Sequence, residues 1–215
     1  STYLRGHTAA ADECIKQLAQ SEGIFGRVAL VALGGYGRRE LFPYSDLDVM
    51  VLLEQNPDQE TAEKIERFLM KLWDMGLTVG SSVRTIESAL EESAKDITVQ
   101  TALLEARLIE GDLLLFARLQ KEFFSQMDAA GFFRAKALEL RQRHQKHEDT
   151  PYSLEPNVKE SPGGLRDLHM LFWCSHAAGM GATPEEMLAA GTISNQEADK
   201  LKEVHHALKS FRIYL

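Results

Sequence analysis

Two short apolar runs, joined through a glycine pair, confine the first half of this chain to a small sheet. The run Arg27-Val-Ala-Leu-Val-Ala-Leu33 carries two β-branched residues and closes on Gly34-Gly35, which reads as a buried strand stopped by a turn. A second run covers Leu47 to Leu53. Side chains alternate along a strand, so Asp46 and Asp48 share one face while Leu47, Val49 and Val51 share the other, the core face. A helix is expected over Ala9 to Ala19. Between Pro57 and Met75, the residues Ile65, Phe68, Leu69, Leu72 and Trp73 fall on one face of a second helix, which Gly76 can end. Thr78 to Val83 is a third, weaker strand.

From Asp96 onward the apolar spacing is helical: Ile97, Thr101, Leu104 and Leu108, then Leu115, Leu119, Phe123 and Met127. The expected fold is α+β: a small mixed β-sheet core flanked by helices over 1–108, followed by an all-helical domain over 109–215. The stretch Asp149 to Gly164 interrupts the second part, because three prolines and two glycines forbid continuous helix. Loops of that length in a compact domain are usually functional. Helices resume at Leu165, at Pro184 behind Thr183/Glu186, and near Asn195 behind Ser194/Glu197. The last apolar spacing runs to Leu215 without a Gly or Pro stop, so the helical domain is expected to be truncated at its C-terminus.

Composition narrows the partners. With 24 basic against 32 acidic residues among 215, the formal charge is -8, which disfavours a broad grip on a nucleic-acid backbone. The longest apolar run, Val28 to Leu33, is too short for a membrane span, so no membrane is expected. Cys14 and Cys174 are far apart and outside any CxxC pair, which fits a reducing cytoplasm.

The chemistry concentrates between Leu33 and Leu53. Two carboxylates with Cβ atoms roughly 7 Å apart repel by about 2 kcal/mol at an effective dielectric near 20, and a divalent cation removes that cost. Oxygen ligands without histidine favour Mg²⁺, with Mn²⁺ as the alternative ion. Gly34 and Gly35 let the backbone approach an anion, and a helix starting within Tyr36 to Leu41 would add positive potential, with Arg38 and Arg39 just beyond. Alone, a strand ending in Gly-Gly is usually a turn, and a lone Asp-x-Asp is usually a solvated edge. Together, on consecutive strands, they specify a site.

Gly-Gly followed by Asp-hydrophobic-Asp resembles the DNA polymerase β-type nucleotidyltransferase superfamily. That resemblance implies carboxylates on two metal ions, a nucleoside triphosphate aligned for in-line attack by a hydroxyl, and release of pyrophosphate. A second string, Tyr152-Ser-Leu-Glu-Pro-Asn-Val-Lys-Glu-Ser-Pro-Gly-Gly-Leu-Arg-Asp-Leu168, is similar to the linker signature of the bacterial PII uridylyltransferase/uridylyl-removing family. Gly34 to Asp48, Asp74 to Arg84 and Thr98 to Glu110 are similar to that family as well. The resemblance implies a Mg²⁺-dependent nucleotidyltransferase that moves UMP from UTP to a tyrosine hydroxyl of the PII nitrogen-regulatory protein. It implies Asp46 and Asp48 as catalytic metal ligands, with Gly34, Gly35, Arg38, Ser45, Lys159, Gly163, Gly164 and Arg166 on the nucleotide. Arg166, in the first turn of a helix, opposes the macrodipole unless an anion binds there. The alternative is that Asn157, Lys159 and Asp167 only cap and solvate a loop.

The chain departs from the pattern in one respect. Many superfamily members carry a third carboxylate on the strand corresponding to Thr78 to Val83, and here that strand holds no acid. Either two carboxylates suffice, or Glu87, Asp96 or Glu105 reaches in. Arg39 stands where relatives often have glycine. His144 and His147 are read as a solvated helix end rather than a metal site. Nothing in the motifs reads the base, so adenylyl transfer from ATP to a protein is an alternative, and a silent nucleotide-binding or interaction module is another. Uridylyl removal belongs to a separate His-Asp metal domain in the family, and forward transfer alone is expected of this chain.

Overall fold

The computed structural model describes residues 2–24, 26–146 and 157–214. The chain divides into two compact units, Thr2–Gln126 and Met127–Leu215. The first holds α1 (Thr2–Ser21), β1 (Val28–Ala32), α2 (Gly34–Gly37), β2 (Leu47–Leu53), α3 (Gln59–Asp74), β3 (Val79–Thr85), α4 (Ile86–Lys95), α5 (Ile97–Leu104), β4 (Arg107–Gly111) and α6 (Leu113–Ser125). The second holds α7 (Ala129–Lys146), α8 (Leu165–Ala177), α9 (Pro184–Ala189) and α10 (Asn195–Tyr214). This is the expected α+β architecture with a small mixed sheet followed by helices.

Among the described residues the four strands form one sheet in the order β3-β2-β1-β4. β1 is antiparallel to β2 and β4, and β2 runs parallel to β3. A parallel pair needs a crossover, and α3 supplies it. The Asp58 carboxylate caps α3 by accepting from the Thr61 N–H at 2.8 Å, and Gly76, at φ +72°, follows its end. Leu30, Ala32, Leu47, Val49 and Val51 share one core with Ile15 and Ala19 of α1 and Ile65, Phe68 and Leu72 of α3. On the other face Ala29, Val31, Met50 and Leu52 are buried, with α4 packed on β3 and α6 on β1 and β2.

Three expectations change. Asp96 onward is not purely helical: Arg107–Gly111 is a strand, paired with β1 through a bulge between Leu30 and Val31. A boundary at 108 would cut that strand in two, and the division falls instead after Gln126. The helix expected over Tyr36 to Leu41 is a single turn that begins at Gly34 and ends at Gly37, because Arg39 takes φ +61° and cannot continue a right-handed helix.

A polar network fastens that turn to the sheet. Arg107 donates from both terminal nitrogens to the Asp12 carboxylate, each at 2.9 Å, and its Nε reaches the Gly37 carbonyl at 3.3 Å. The Tyr36 hydroxyl donates to the same carboxylate at 2.6 Å, while the Arg107 guanidinium lies 5.3 Å from the Tyr36 ring centre. Burial first, and then the hydrogen bond to Asp12 and its charge, push the Tyr36 hydroxyl pKa far above its ordinary value.

Phe68 is fully buried, so Phe68→Ala is expected to lower unfolding free energy by about 3–5 kcal/mol in a urea titration. Asp12→Ala leaves the partly buried Arg107 cation without its carboxylate, and is expected to cost about 3 kcal/mol in the same measurement.

Candidate functional site

β2 begins one residue after Asp46 and carries Asp48 at its second position. Leu47, Val49 and Val51 sit in the α1/α3 core, so Asp48 projects from the opposite face. Asp46 precedes the strand and is exposed, whereas Asp48 is half-buried. The glycine turn closes on this point from β1: the Leu33 N–H donates to the Asp48 carbonyl at 2.9 Å, and Ala32 pairs with Val49.

Two glycines shape the space around the Asp48 carboxylate. Gly34, at φ +53°, leaves open a position in which a Cβ would stand 3.3 Å from Asp48 Oδ2. On the other side β3 pairs Gly80 directly with Asp48, and a Cβ on Gly80 would overlap Oδ1. The carboxylate thus lies between two backbone positions without side chains. Gly80 was not among the sequence-derived site residues, although a glycine inside a strand marks a close approach.

The other first-unit residues take distinct places. Gly35 lies in the same turn, where a Cβ would meet Arg38 Nη2 at 3.6 Å. Arg38 itself is held by two acids: Nε donates to Glu40 at 3.1 Å, and Nη1 donates to Glu105. Burial alone would lower the Arg38 pKa, but Glu105 and then Glu40 hold it above its ordinary value. Arg38 thus ties the turn to two acids, while its Nη2 lies 3.6 Å from the position a Cβ would take on Gly35. Ser45 is half-buried, and its N–H donates to the Phe42 carbonyl at 3.1 Å.

Each of the three candidate extra acids has a recorded place in the fold. Glu105 is committed to Arg38. Asp96 caps α5 by accepting from the Thr98 N–H at 2.7 Å. Glu87 lines a cleft with Glu54 and Arg118, beyond the far end of β2. On β3, the positions facing the same side as Asp48 are Gly80, Ser82 and Arg84.

The second unit holds the remaining candidates. Residues 147–156, including Tyr152 to Pro156 of the second motif and His147, lie outside the described residues. Asn157 accepts from the N–H groups of Lys159 and Glu160, and Gly163, at φ +77°, donates its N–H to Asp167 at 2.7 Å. A Cβ on Gly164 would stand 2.6 Å from the Val158 carbonyl, so the loop closes only with glycine there. Arg166 lies in the first turn of α8, as expected, but donates to Glu160 at 3.1 Å, with Lys159 3.8 Å from the same oxygen. Burial would raise the Glu160 pKa, but the charge and hydrogen bond of Arg166 hold it below the usual range. His144 is not a solvated helix end: its Nε2 lies 2.9 Å from Asp167 Oδ2, and Arg143 donates to the same carboxylate.

Residues 11–103 match a family model described as a nucleotidyltransferase domain, and residues 131–215 match one described as GlnD PII-uridylyltransferase. A bifunctional uridylyltransferase/uridylyl-removing enzyme of Cupriavidus pinatubonensis is 52% identical over 187 residues, covering 87% of this chain and 22% of the relative. Its namesake in Cupriavidus metallidurans is 53% identical over 190 residues, covering 88% and 22%. That of Burkholderia mallei is 50% identical over 206 residues, covering 96% and 24%. The chain thus spans about a fifth to a quarter of the length of these curated relatives. Strands β1 to β3 with Asp48 and its two glycines all fall inside the first matched segment, and α8 with its loop falls inside the second. Residues 11–103 are accordingly similar to the nucleotidyltransferase domain family, and residues 131–215 to the GlnD PII-uridylyltransferase family.

Proposed function

We propose that this chain is the nucleotidyltransferase portion of a cytoplasmic enzyme that transfers UMP from UTP to a tyrosine hydroxyl of a PII protein, releasing pyrophosphate. The observation that carries the reading is the Asp48 carboxylate set between Gly34 and Gly80, at the mouth of the glycine turn. The relatives' name supplies the uridylyl group, and the matched family supplies the PII target.

The donor set fits a hard divalent cation: Asp46 and Asp48 offer carboxylate oxygens only, which suits Mg²⁺ or Mn²⁺. When bound, such an ion neutralises charge on the phosphate oxygens. Asp46 and Asp48 would hold it. Gly34 and Gly35 present main-chain atoms that an anion can approach without side-chain obstruction. The Tyr36, Asp12 and Arg107 network keeps this turn rigid beside Asp48, so the phosphates meet a preformed surface, and positioning is most of what phosphoryl-type transfer asks of a protein. The acceptor hydroxyl attacks the α-phosphorus in line with the departing pyrophosphate, and its proton leaves as the new ester bond forms.

Asp48→Asn keeps the shape of the side chain and removes its charge. Transfer to PII, followed by pyrophosphate release with UTP, is expected to fall by about 10²- to 10³-fold, and full activity in this variant would end the metal-site reading. Faster release with ATP than with UTP would favour adenylyl transfer instead. Gly80→Ala separates site geometry from folding. The overlapped atom is the end of a flexible side chain, so the denaturation midpoint is expected to move little, while displacement of the carboxylate lowers transfer by about 10-fold or more.

A further inference from the structure

Among the described residues β3 ends the sheet, with β2 on one side of it and no strand on the other. The Leu47 N–H donates to the Thr78 carbonyl at 2.8 Å, so alternation turns the main-chain groups of Thr78, Gly80, Ser82 and Arg84 toward β2. Those of Val79, Ser81 and Val83 point outward, and no main-chain group among the described residues bonds them. Gly80 and Val83 are exposed. Folded proteins usually blunt such an edge with charge, proline or a covering loop, because it is a ready template for another strand. Here β3 holds no proline and no acid, and its one charge, Arg84, sits near its end.

The two faces of that edge lead to different places. Gly80, Ser82 and Arg84 share the Asp48 face, and Gly80, paired with Asp48, puts no side chain between the carboxylate and the open edge. Val79 and Val83 lie on the opposite, α3 face, where Val83 lines an apolar groove with Leu69, Met70 and Trp73. Met70 and Trp73 are exposed, at 53% and 51%. A strand added beside β3 stands about 10 Å from β2 and alternates its side chains between the two faces. Its residue opposite Gly80 projects on the Asp48 face, and its neighbours at odd offsets project toward the groove. Gly34 and Gly35 follow β1, which flanks β2 on the side away from β3. In-line displacement brings the entering oxygen from the side opposite the leaving group, so with the phosphates at the glycine turn the hydroxyl enters over Gly80.

We infer that the acceptor segment of PII docks in extended form on the β3 edge, with its tyrosine opposite Gly80 and an apolar residue, at an odd offset from that tyrosine, in the groove of Leu69, Met70 and Trp73. The inference rests on the transfer reading above. Main-chain hydrogen bonds supply the grip, and the alternating side-chain positions select the segment. Arg84 gives the edge a positive charge in a chain of net charge -8, so an acidic residue in the segment is favoured there.

Ser81→Pro removes an outward N–H and leaves the bonds to β2 in place, since an edge strand accepts proline where the N–H faces away from the sheet. Ser81→Ala keeps that N–H. Initial rates of UMP transfer at varied PII and at varied UTP are measured for both and for Trp73→Ala, with thermal denaturation and sedimentation alongside. The KM for PII is expected to rise at least about 10-fold in Ser81→Pro and about 5-fold in Trp73→Ala, with the KM for UTP unchanged, and to stay within about 2-fold in Ser81→Ala. An unchanged KM for PII in Ser81→Pro, or a raised KM for UTP, would overturn the docking and leave the transfer reading standing. Should Ser81→Pro melt well below the unaltered chain, Trp73→Ala decides by the same two constants. A dimer of the unaltered chain that Ser81→Pro dissociates would give the edge to a second copy and overturn the assignment to PII. Absence of transfer by the unaltered chain would overturn the transfer reading and the docking together.

Discussion

The Asp48 carboxylate can occupy its place only because no side chain stands on either side of it. Gly34 clears one flank and Gly80 the other, and the two belong to separate elements brought together by the sheet. This steric constraint ranks the surrounding interactions by what they preserve. The antiparallel β1/β2 register sets the glycine turn beside Asp48, and the parallel β2/β3 register sets Gly80 directly across from it. A one-residue slip in either pairing would turn a different set of side chains to that face. The buried alternation of Leu47, Val49 and Val51 against α1 and α3 makes such a slip expensive. The hydrophobic core thus fixes the position of a polar group on the opposite face of the same strand.

The polar contacts around the turn divide into those that hold it and those an anion can displace. Arg38 is paired with Glu40 and Glu105, whose side chains are 8% and 6% exposed, and removing one member of such a set leaves a nearly dry charge behind. Arg107 with Asp12 follows the same logic. These pairs behave as fasteners for the turn. The backbone of Gly34 and Gly35 is then the part of the turn that no side chain covers, with the Arg38 guanidinium beside Gly35.

Much of this architecture is legible in the sequence. The alternation from Leu47 to Leu53 specifies which face is core, and the i, i+3, i+4 pattern from Ile65 to Trp73 specifies the crossover helix. β4 is not legible, because only Leu108 and Ile109 among its five residues are apolar, and its pairing is set by a bulge and by Arg107 reaching Asp12 across the fold. The same blindness hid the partners of Arg38. A basic residue beside a glycine turn reads as a phosphate ligand, and its pairing with Glu105, distant in sequence, is visible only in the fold. Gly80 was visible as a glycine but not as a neighbour of Asp48, since that fact belongs to the strand register.

In the second unit the balance falls the other way. Arg166 and Lys159 share Glu160, with side chains 30%, 45% and 28% exposed. Ion pairs this open to water contribute about 0–1 kcal/mol each, so a polyanion of higher charge can replace Glu160 at small cost. Each phosphate oxygen would then gain a charge-assisted hydrogen bond in place of the carboxylate contact, and an anion at the first turn of α8 would turn the unfavourable placement of Arg166 into a favourable one. Asp167, accepting from the Gly163 N–H and from Arg143, ties the loop down independently of Glu160. Of the cations singled out in the sequence, Lys159 and Arg166 thus hold the more exposed pairs, and Arg38 the more buried ones.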